Sequence, residues 1–548
     1  MNLYQRARES CASSSASISF DDGRRVREIS YAEFFHNAEA LANGICDISP
    51  TPRPQIVVQA REPSKFLSAF WAAISLDATA VIAPIVESDT HADLIRRIVG
   101  QLDDPIIVGD GRTLDHIRIG ASPIDIEAGD DGDLRLLKPS RHSGDESSEY
   151  QPVIQYSSGS TGAPKGVQLR AESFIRTAEA LEERLSLGAH DSTYSWLPLT
   201  HNFALFGFHI SATLLGVEQV IGTPIGFMLN PMSWLQRMSE LGTTLTGSPN
   251  FGLRLLLNAI EKERIRGREP ALDLHRLRVV VSGAEPLDLA TATNFEKALS
   301  AYGSRPHLIA PAYGMSETTV GISVRPPGAP LKSITVDRDR LRIGSRVHDV
   351  HDEGRGGLEA VALGTPLTGT SVRIVDDDRH VLEPGTLGHV EVTGPTMMVG
   401  YVEQDASPDE WSGENDWFRT GDIGFVLDDE IYLTGRQKDI IFINGKNYYP
   451  DDLEHVVLGI RPDLAGLIAV TGAVDQRNGT ERIVLFIERE SHDPEDLDKE
   501  FSDIRAGFGD ATHLRIDQMI GVKALPRTSS GKVQRFLLRA TTTAGGAR

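Results

Sequence analysis

Short β-branched runs alternate with stretches of helical periodicity along most of the chain. Residues 55–84 hold a β-branched strand, a helical apolar stretch and a second strand, the pattern of a βαβ unit in a parallel sheet. The runs PIIVGD (105–110), LRVVVSGAEP (277–286) and HLIAPAYG (307–314) each end in or beside small residues. Strands that run into glycine-containing loops suit a doubly wound sheet with ligands at the strand C-terminal ends. Residues 128–150 are polar and rich in Gly and Ser, and read as a surface linker. Residues 325–360, with clustered Arg, Asp, His and Gly, read as an irregular surface insertion of low hydrophobic content. From 364 to 434 the pattern turns all-β, with VRIVDDDRHVL, GHVEVTG and DIGFVLDDEIYLTG separated by turn residues. Beyond about 436 comes a smaller unit: DDLEHVVLGI as a helix, AGLIAVTGAV and ERIVLFIE as strands, and a polar helix from 493. The expected class is therefore α/β. A large N-terminal domain of doubly wound sheets with a β-rich subdomain spans 1–435, and a small α+β domain spans 436–548.

Composition narrows the class. With 40% hydrophobic and 24% charged residues, the 548-residue chain is neither disordered nor fibrous. A net charge of −22 argues against a nucleic-acid partner, although anions can still bind locally. Two cysteines, Cys11 and Cys46, are too few for a disulfide framework or a zinc cluster. The N-terminus lacks the apolar core of a signal peptide, and no run of 18 apolar residues offers a membrane span. The expectation is a cytoplasmic protein with no membrane partner.

Candidate chemistry begins at Ser158, Gly159, Ser160, Thr161 and Gly162, followed by Lys165, after the expected strand VIQ. Glycines let the backbone approach a ligand closely, free N–H groups and hydroxyls face it, and Lys165 adds a cation. This is an anion nest for phosphates, and it departs from the Walker pattern.

SSGSTGAPKGV resembles the phosphate loop of the adenylate-forming superfamily: acyl-CoA synthetases, fatty acyl-AMP ligases and non-ribosomal adenylation domains. Further segments resemble its other motifs in order: PAYGMSETTVG, GHVEVTGPTMMVGY, FRTGDIG, LTGRQKDIIFINGKNYYPDDLE and LPRTSSGKVQR. The resemblance implies ATP and Mg2+ as cofactors, and a carboxylate that attacks the α-phosphorus before a thiol displaces AMP. It assigns the β- and γ-phosphates to the Ser158–Lys165 loop, adenine stacking to Tyr313 of the Tyr313-Gly314 pair, and the α-phosphate to Ser316. Glu317 would hold Mg2+, and Gly283, Ala284 and Glu285 would line the adenine pocket. Asp422 would accept the ribose hydroxyls, with Arg436 on ribose or phosphate. Lys438 marks the hinge of a mobile C-terminal domain. Lys532 would bridge the attacking carboxylate and the α-phosphate. His201 is a further catalytic candidate.

Within the superfamily the chain resembles fatty acyl-AMP ligases most, by WLPLTH (196–201), SPNFG (248–252), SGAEP and NGKNYYPDDLE. The substrate pocket is expected at His201, Asn202, Phe203, Asn250 and Gly252. In such relatives an insertion where 325–360 falls disfavours CoA, and the acyl group goes to a carrier protein. His201-Asn202-Phe203-Ala204 departs from the subfamily's His-Asp-Met-Gly and looks like aryl-acid-activating enzymes, in which the Asn faces a ring hydroxyl. Asn202 as a structural amide bonded to backbone is the other reading. Fatty-acid, aryl-acid, CoA-ligating and nitrite-activating readings stay open, as does a non-catalytic nucleotide-binding scaffold.

Overall fold

The computed structural model describes residues 2–544, apart from 50–52, 104, 118–123, 126–133, 139–150, 158–163, 351–356, 403–410, 413–416, 444–445, 476–479, 490–496, 498–500 and 529–530. Two eight-stranded sheets carry most of it. In the first, parallel strands Val153–Ser157, Thr79–Ile82, Gln55–Gln59 and Pro105–Asp110 lie side by side. The helix Pro63–Ser75 crosses between Gln55–Gln59 and Thr79–Ile82. It starts on proline and buries ten of its 13 residues, Phe66, Phe70 and Trp71 among them. That explains its nearly continuous apolar sequence: an amphipathic stripe is enough only where one face meets water.

The second sheet positions the site. Strands Ser192–Ser195, Leu245–Gly247, Val279–Ser282 and Ile309–Tyr313 are adjacent and parallel. Strand Val279–Ser282 is buried along its whole length, which is why its Val-Val-Val run does not alternate. All four strands point their C-terminal ends the same way, so the loops that follow them meet along one crevice.

Two expectations need correction. The stretch 325–360 is not merely irregular. Ser333–Val336 pairs antiparallel with Leu358–Val361. Ile334, Val336, Leu341, Leu358 and Ala360 join a core with Leu387, Ile423, Phe425 and Tyr432. Its low hydrophobic content misled because a strand with one buried face needs only every second residue apolar, as in Ser333-Ile334-Thr335-Val336. Within 128–150, Leu134–Leu137 is a buried strand antiparallel to Pro105–Asp110, and 128–133 and 139–150 lie outside the described residues. A four-residue apolar run is easily hidden in polar surroundings.

The all-β stretch is present as antiparallel strands Ser371–Val375, Gly388–Thr393, Trp417–Leu427 and Glu430–Arg436. From Ile441 onward the chain builds cores of its own, with Leu453, Val457, Ile468, Leu485, Ile504 and Phe508 in one of them. The helix expected from 493 spans Ser502–Thr512, and most of 490–500 lies outside the described residues. Tyr449 is the exception to this separation: it packs with Phe425 and Tyr432, and a Cβ on Gly435 would lie 2.5 Å from its ring.

Candidate active site

The four loops after the parallel strands bring together residues far apart in sequence. His201 and Asn202 follow the first, Asn250 the second, Gly283 to Glu285 the third, and Gly314 to Glu317 the fourth. They line one cavity of about 1590 Å3, together with Lys165, Asp422, Arg436, Lys438 and Lys532. A pocket for one drug-sized ligand occupies roughly 300–1,000 Å3, so this cavity has room for more than a single small molecule. Gly252 does not line it. That glycine lies on the helix Asn250–Ile265, where a Cβ would come 2.3 Å from Ser248 Oγ and 2.8 Å from the Trp196 ring. Its smallness serves packing.

On one side stands a fixed polar wall. The Tyr313 hydroxyl donates to Asp422 Oδ2 at 2.6 Å, and Arg436 Nε lies 2.9 Å from Asp422 Oδ1. Asp422 and Arg436 are cross-strand partners in an antiparallel pair, so the sheet register sets their spacing. Burial and the neighbouring Asp422 carboxylate hold the Tyr313 phenol well above its ordinary range. Asp422 raises the Arg436 pKa further, keeping a permanent cation at the cleft. Beside the wall, Ala284 adopts φ +71°, and a Cβ on Gly283 would lie 2.9 Å from the Ala312 carbonyl. Phe251 N–H donates to the Glu285 carboxylate, whose pKa burial raises.

The segment expected to take the phosphates is described from Pro164 onward, and Ser158, Gly159, Ser160, Thr161 and Gly162 lie outside the described residues. Lys165 opens the strand Lys165–Leu169, with its ammonium 4.7 Å from the Tyr401 ring centroid. The Tyr401 hydroxyl in turn donates to Glu317 Oε1 at 2.9 Å. Burial raises the Glu317 pKa, with Arg436 and Lys165 opposing it. A desolvated carboxylate facing a cavity suits a divalent cation. Among the described residues no group of three or more His, Cys, Asp or Glu side chains gathers to hold a metal. Mg2+ is characteristically bound by one or two carboxylates plus phosphate oxygens, and Glu317 fits that mode.

His201 accepts a hydrogen bond from Phe203 N–H on Nδ1 at 3.2 Å, which leaves Nε2 as the protonated nitrogen. Burial, and then the Lys532 ammonium, push its pKa down to about 3, so the ring is neutral at physiological pH. The chain continues into a π-helix, Phe203–Ile210, a local form that clusters at functional sites and that sequence periodicity did not show. The lining of the same cavity also includes the apolar residues Leu181, Leu185, Phe203, Phe208, Val217 and Leu245.

Lys532 reaches the same cavity from the C-terminal tail. It stands exposed in the cleft, where partial desolvation by the enclosing walls and then Arg436 pull its pKa down to about 8, opposed by Asp422, Glu285 and Asp451. Its loop is anchored by Arg535, which bonds Asp451 and Glu454, and by a turn in which Thr528 N–H donates to the Lys532 carbonyl at 2.8 Å. Among the contacts of this unit with the sheets are Arg338 with Asp452, and His455 Nδ1 with Asp288 at 3.1 Å. Lys438 sits in a short 3-10 turn, its carbonyl accepting from Arg539 at 3.4 Å. Tyr401, Arg535, Arg338 and His455 were missed from sequence. Tyr401 and Arg535 end motifs already singled out, so their place was readable, whereas the partners of Arg338 and His455 were not.

The sequence pattern of the AMP-binding enzyme family matches residues 5–402. A medium-chain-fatty-acid–[acyl-carrier-protein] ligase, JamA, of Moorena producens (strain JHB) is 31% identical over 72% of this chain and 68% of its own length. A 4-hydroxyphenylalkanoate adenylyltransferase of Mycobacterium marinum (strain ATCC BAA-535 / M) is 30% identical over 89% of this chain and 76% of its own. Among solved structures, one from a study of fatty acyl-adenylate ligases of E. coli and L. pneumophila matches with a TM-score of 0.85. It covers 100% of this chain and 99% of that one at 24% identity, a likeness of fold. The chain belongs to the AMP-binding enzyme family. Within that family it is an adenylate-forming ligase of the acyl-AMP type. No helix among the described residues is long and apolar enough to cross a membrane.

Proposed function

We propose that the protein activates a carboxylic acid with a medium-length apolar tail as its acyl-AMP and passes the acyl group to the thiol of a carrier protein. The observation that carries this reading is the convergence of Lys532, Glu317 and the Tyr313–Asp422–Arg436 wall on one cavity with apolar residues in its lining. Those apolar residues favour a hydrocarbon tail, and the JamA relative is named for a medium-chain fatty acid and a carrier protein.

In the first step a carboxylate oxygen attacks the α-phosphorus of ATP, and the bond to the pyrophosphate oxygen breaks. Tyr313 and the Gly283-Ala284-Glu285 loop hold adenine, and Asp422 and Arg436 hold ribose. Lys165, with Ser158, Gly159, Ser160, Thr161 and Gly162, takes the β- and γ-phosphates. Glu317, beside Ser316 at the α-phosphate, would hold Mg2+, which supplies positive charge to the phosphates. His201 donates from Nε2 to the acid, and Lys532 adds a cation where charge develops, a preorganised form of transition-state stabilisation. Asn250 and Phe203 shape the acid's path. In the second step the thiol sulfur attacks the acyl carbon and AMP leaves. For that step the unit 436–548 turns about Lys438 against 1–435, withdrawing Lys532. The two cysteines, Cys11 and Cys46, are unbonded to each other, in keeping with a cytoplasmic site of action.

ATP–pyrophosphate exchange tests the reading, run over octanoate, dodecanoate and hydroxybenzoate with Mg2+ and with a chelator. Exchange with the fatty acids that fails under chelation supports it. Hydroxybenzoate as the preferred acid replaces the substrate class. ATP binding without exchange on any acid supports a scaffold or a nitrite-activating enzyme. Acyl transfer to a phosphopantetheine-bearing carrier, compared with CoA, identifies the acceptor.

A further inference from the structure

Thr319, beside the site, is one of the described non-glycine residues with positive φ. Its dihedrals, φ 63° and ψ −65°, are those of a left-handed γ-turn. The turn is closed by Val320 N–H donating to the Thr318 carbonyl at 2.7 Å. Such a conformation is rare for any residue and is worst for a β-branched one. Thr319 is fully buried, and it ends the short turn Ser316–Thr318 that carries Ser316 and Glu317. Conformations of this kind persist only where the surroundings over-determine them.

The surroundings here come from two directions. The Thr319 hydroxyl donates to the Thr396 carbonyl at 2.8 Å, and Met398 N–H donates to the Glu317 carbonyl at 2.8 Å. Those contacts tie the turn to the segment that carries Tyr401. From the acid pocket, Asn202 Nδ2 donates to the Thr319 carbonyl at 3.4 Å, and Asn202 is itself buried. One turn further along, a Cβ on Gly207 of the π-helix would touch Val320 Cγ2 at 3.4 Å. The turn also explains Gly314: a Cβ there would lie 1.7 Å from the Val320 carbonyl oxygen, a position no other residue can take.

We propose that Asn202 is a positioning residue that pins the strained Thr319 turn, so that the acid-pocket helix sets the placement of Ser316 and Glu317. This deepens the reading above and rests on it, because the turn matters through the phosphate and Mg2+ contacts assigned there. One amide N–H of Asn202 is then given to backbone, and acid preference is expected not to depend on it. Coupling of this kind is reciprocal: an acid that orders the π-helix tightens MgATP binding, and MgATP tightens the acid by the same factor.

Calorimetric titration of the full-length protein with MgATP tests this with no acid present. Asn202→Ala and Asn202→Asp both lack the donor, and each is expected to weaken MgATP binding about tenfold, within the usual range of coupling factors. ATP titrated in excess chelator is expected to bind wild type and variants alike, a difference that general damage to the fold would not produce. Adding Thr319→Gly to Asn202→Ala is expected to restore most of the MgATP affinity, because glycine accepts positive φ without a clamp. In exchange assays, the ratio of kcat/KM for dodecanoate to that for 4-hydroxybenzoate is expected to stay constant across the variants. Unchanged MgATP affinity in folded Asn202→Ala and Asn202→Asp overturns the proposal, as does a shift of acid preference with MgATP affinity intact. Wild type that binds no MgATP overturns the adenylation reading itself, and the inference with it.

Discussion

The Tyr313–Asp422–Arg436 wall and the Lys532 tail line the same cleft and are built in opposite ways. Asp422 and Arg436 sit on paired strands, and Tyr313 ends a strand of the second sheet, so moving any of them means breaking a ladder. Lys532 sits on a loop whose place depends on ion pairs, Arg535 with Asp451 and Glu454 within its own unit. Docking of that unit depends on Arg338–Asp452 and His455–Asp288. Hydrogen-bonded sheet suits groups that hold the nucleotide through both steps. Ion pairs bridging two separately packed bodies suit a group needed in one step only, because on separation both partners regain water, which offsets the attraction lost.

Removing the movable charge breaks that contrast most sharply. Lys532→Ala is expected to slow adenylate formation by roughly 10²–10³, the scale of losing one charge-stabilising group, while transfer from supplied acyl-AMP continues. Measuring the two half-reactions separately checks this, and equal loss in both would mean the lysine is as fixed as the wall. Next in size, Arg338→Met leaves the buried Asp452 carboxylate unpaired only when the unit is docked. Breaking one side of a buried pair is costly, so single-turnover adenylation is expected to fall about 10- to 100-fold, with transfer spared. Lys438→Pro inverts the pattern. A fixed φ at the turn is expected to slow transfer about tenfold and adenylation much less, since only transfer needs the rotation.

The smallest effect is on pH. Hydrogen bonding to Asp288 raises the His455 pKa above its ordinary value of about 6.5. The contribution of this ion pair to docking is therefore complete below that ordinary value and is lost as pH rises through the raised one. On the acid side, Asp288, its hydrogen bonds to His455 and Thr291 outweighing burial, has its pKa lowered to about 2, and its share is lost only as pH falls towards that value. The ratio of adenylation to transfer is expected to decline by no more than about threefold from neutral to alkaline pH, as fits a half-exposed pair. His455→Gln is expected to flatten the decline, and a profile unchanged by that substitution would remove His455 from the docking contact.

Local chemistry carried most of what the chain showed before folding. Runs such as Val279-Val280-Val281 announce buried strands, and Gly-Ala-Glu or Tyr-Gly after a strand announces a loop that must pass close to a ligand. Lys532 was legible because its neighbours form a contiguous motif, although nothing local indicates that Arg535 would anchor it. The stretch 325–360 misled because its strands bury one face only, and Gly252 misled because a small residue beside a pocket residue looks the same whether it faces ligand or Trp196.

By itself, then, the sequence determined the α/β class, the order of the motifs and the chemical types available at each position, since these depend on contiguous residues and short periods. Only the tertiary structure decided which carboxylate meets which cation, as with Arg338 and Asp452, 114 positions apart. It alone decided that Asn202 bonds the Thr319 carbonyl and that a π-helix borders the acid pocket. The physical reason is the same in each case. Backbone preference and hydrophobic burial act over a few residues, whereas a buried polar group takes its partner from whatever the packing of distant elements sets beside it.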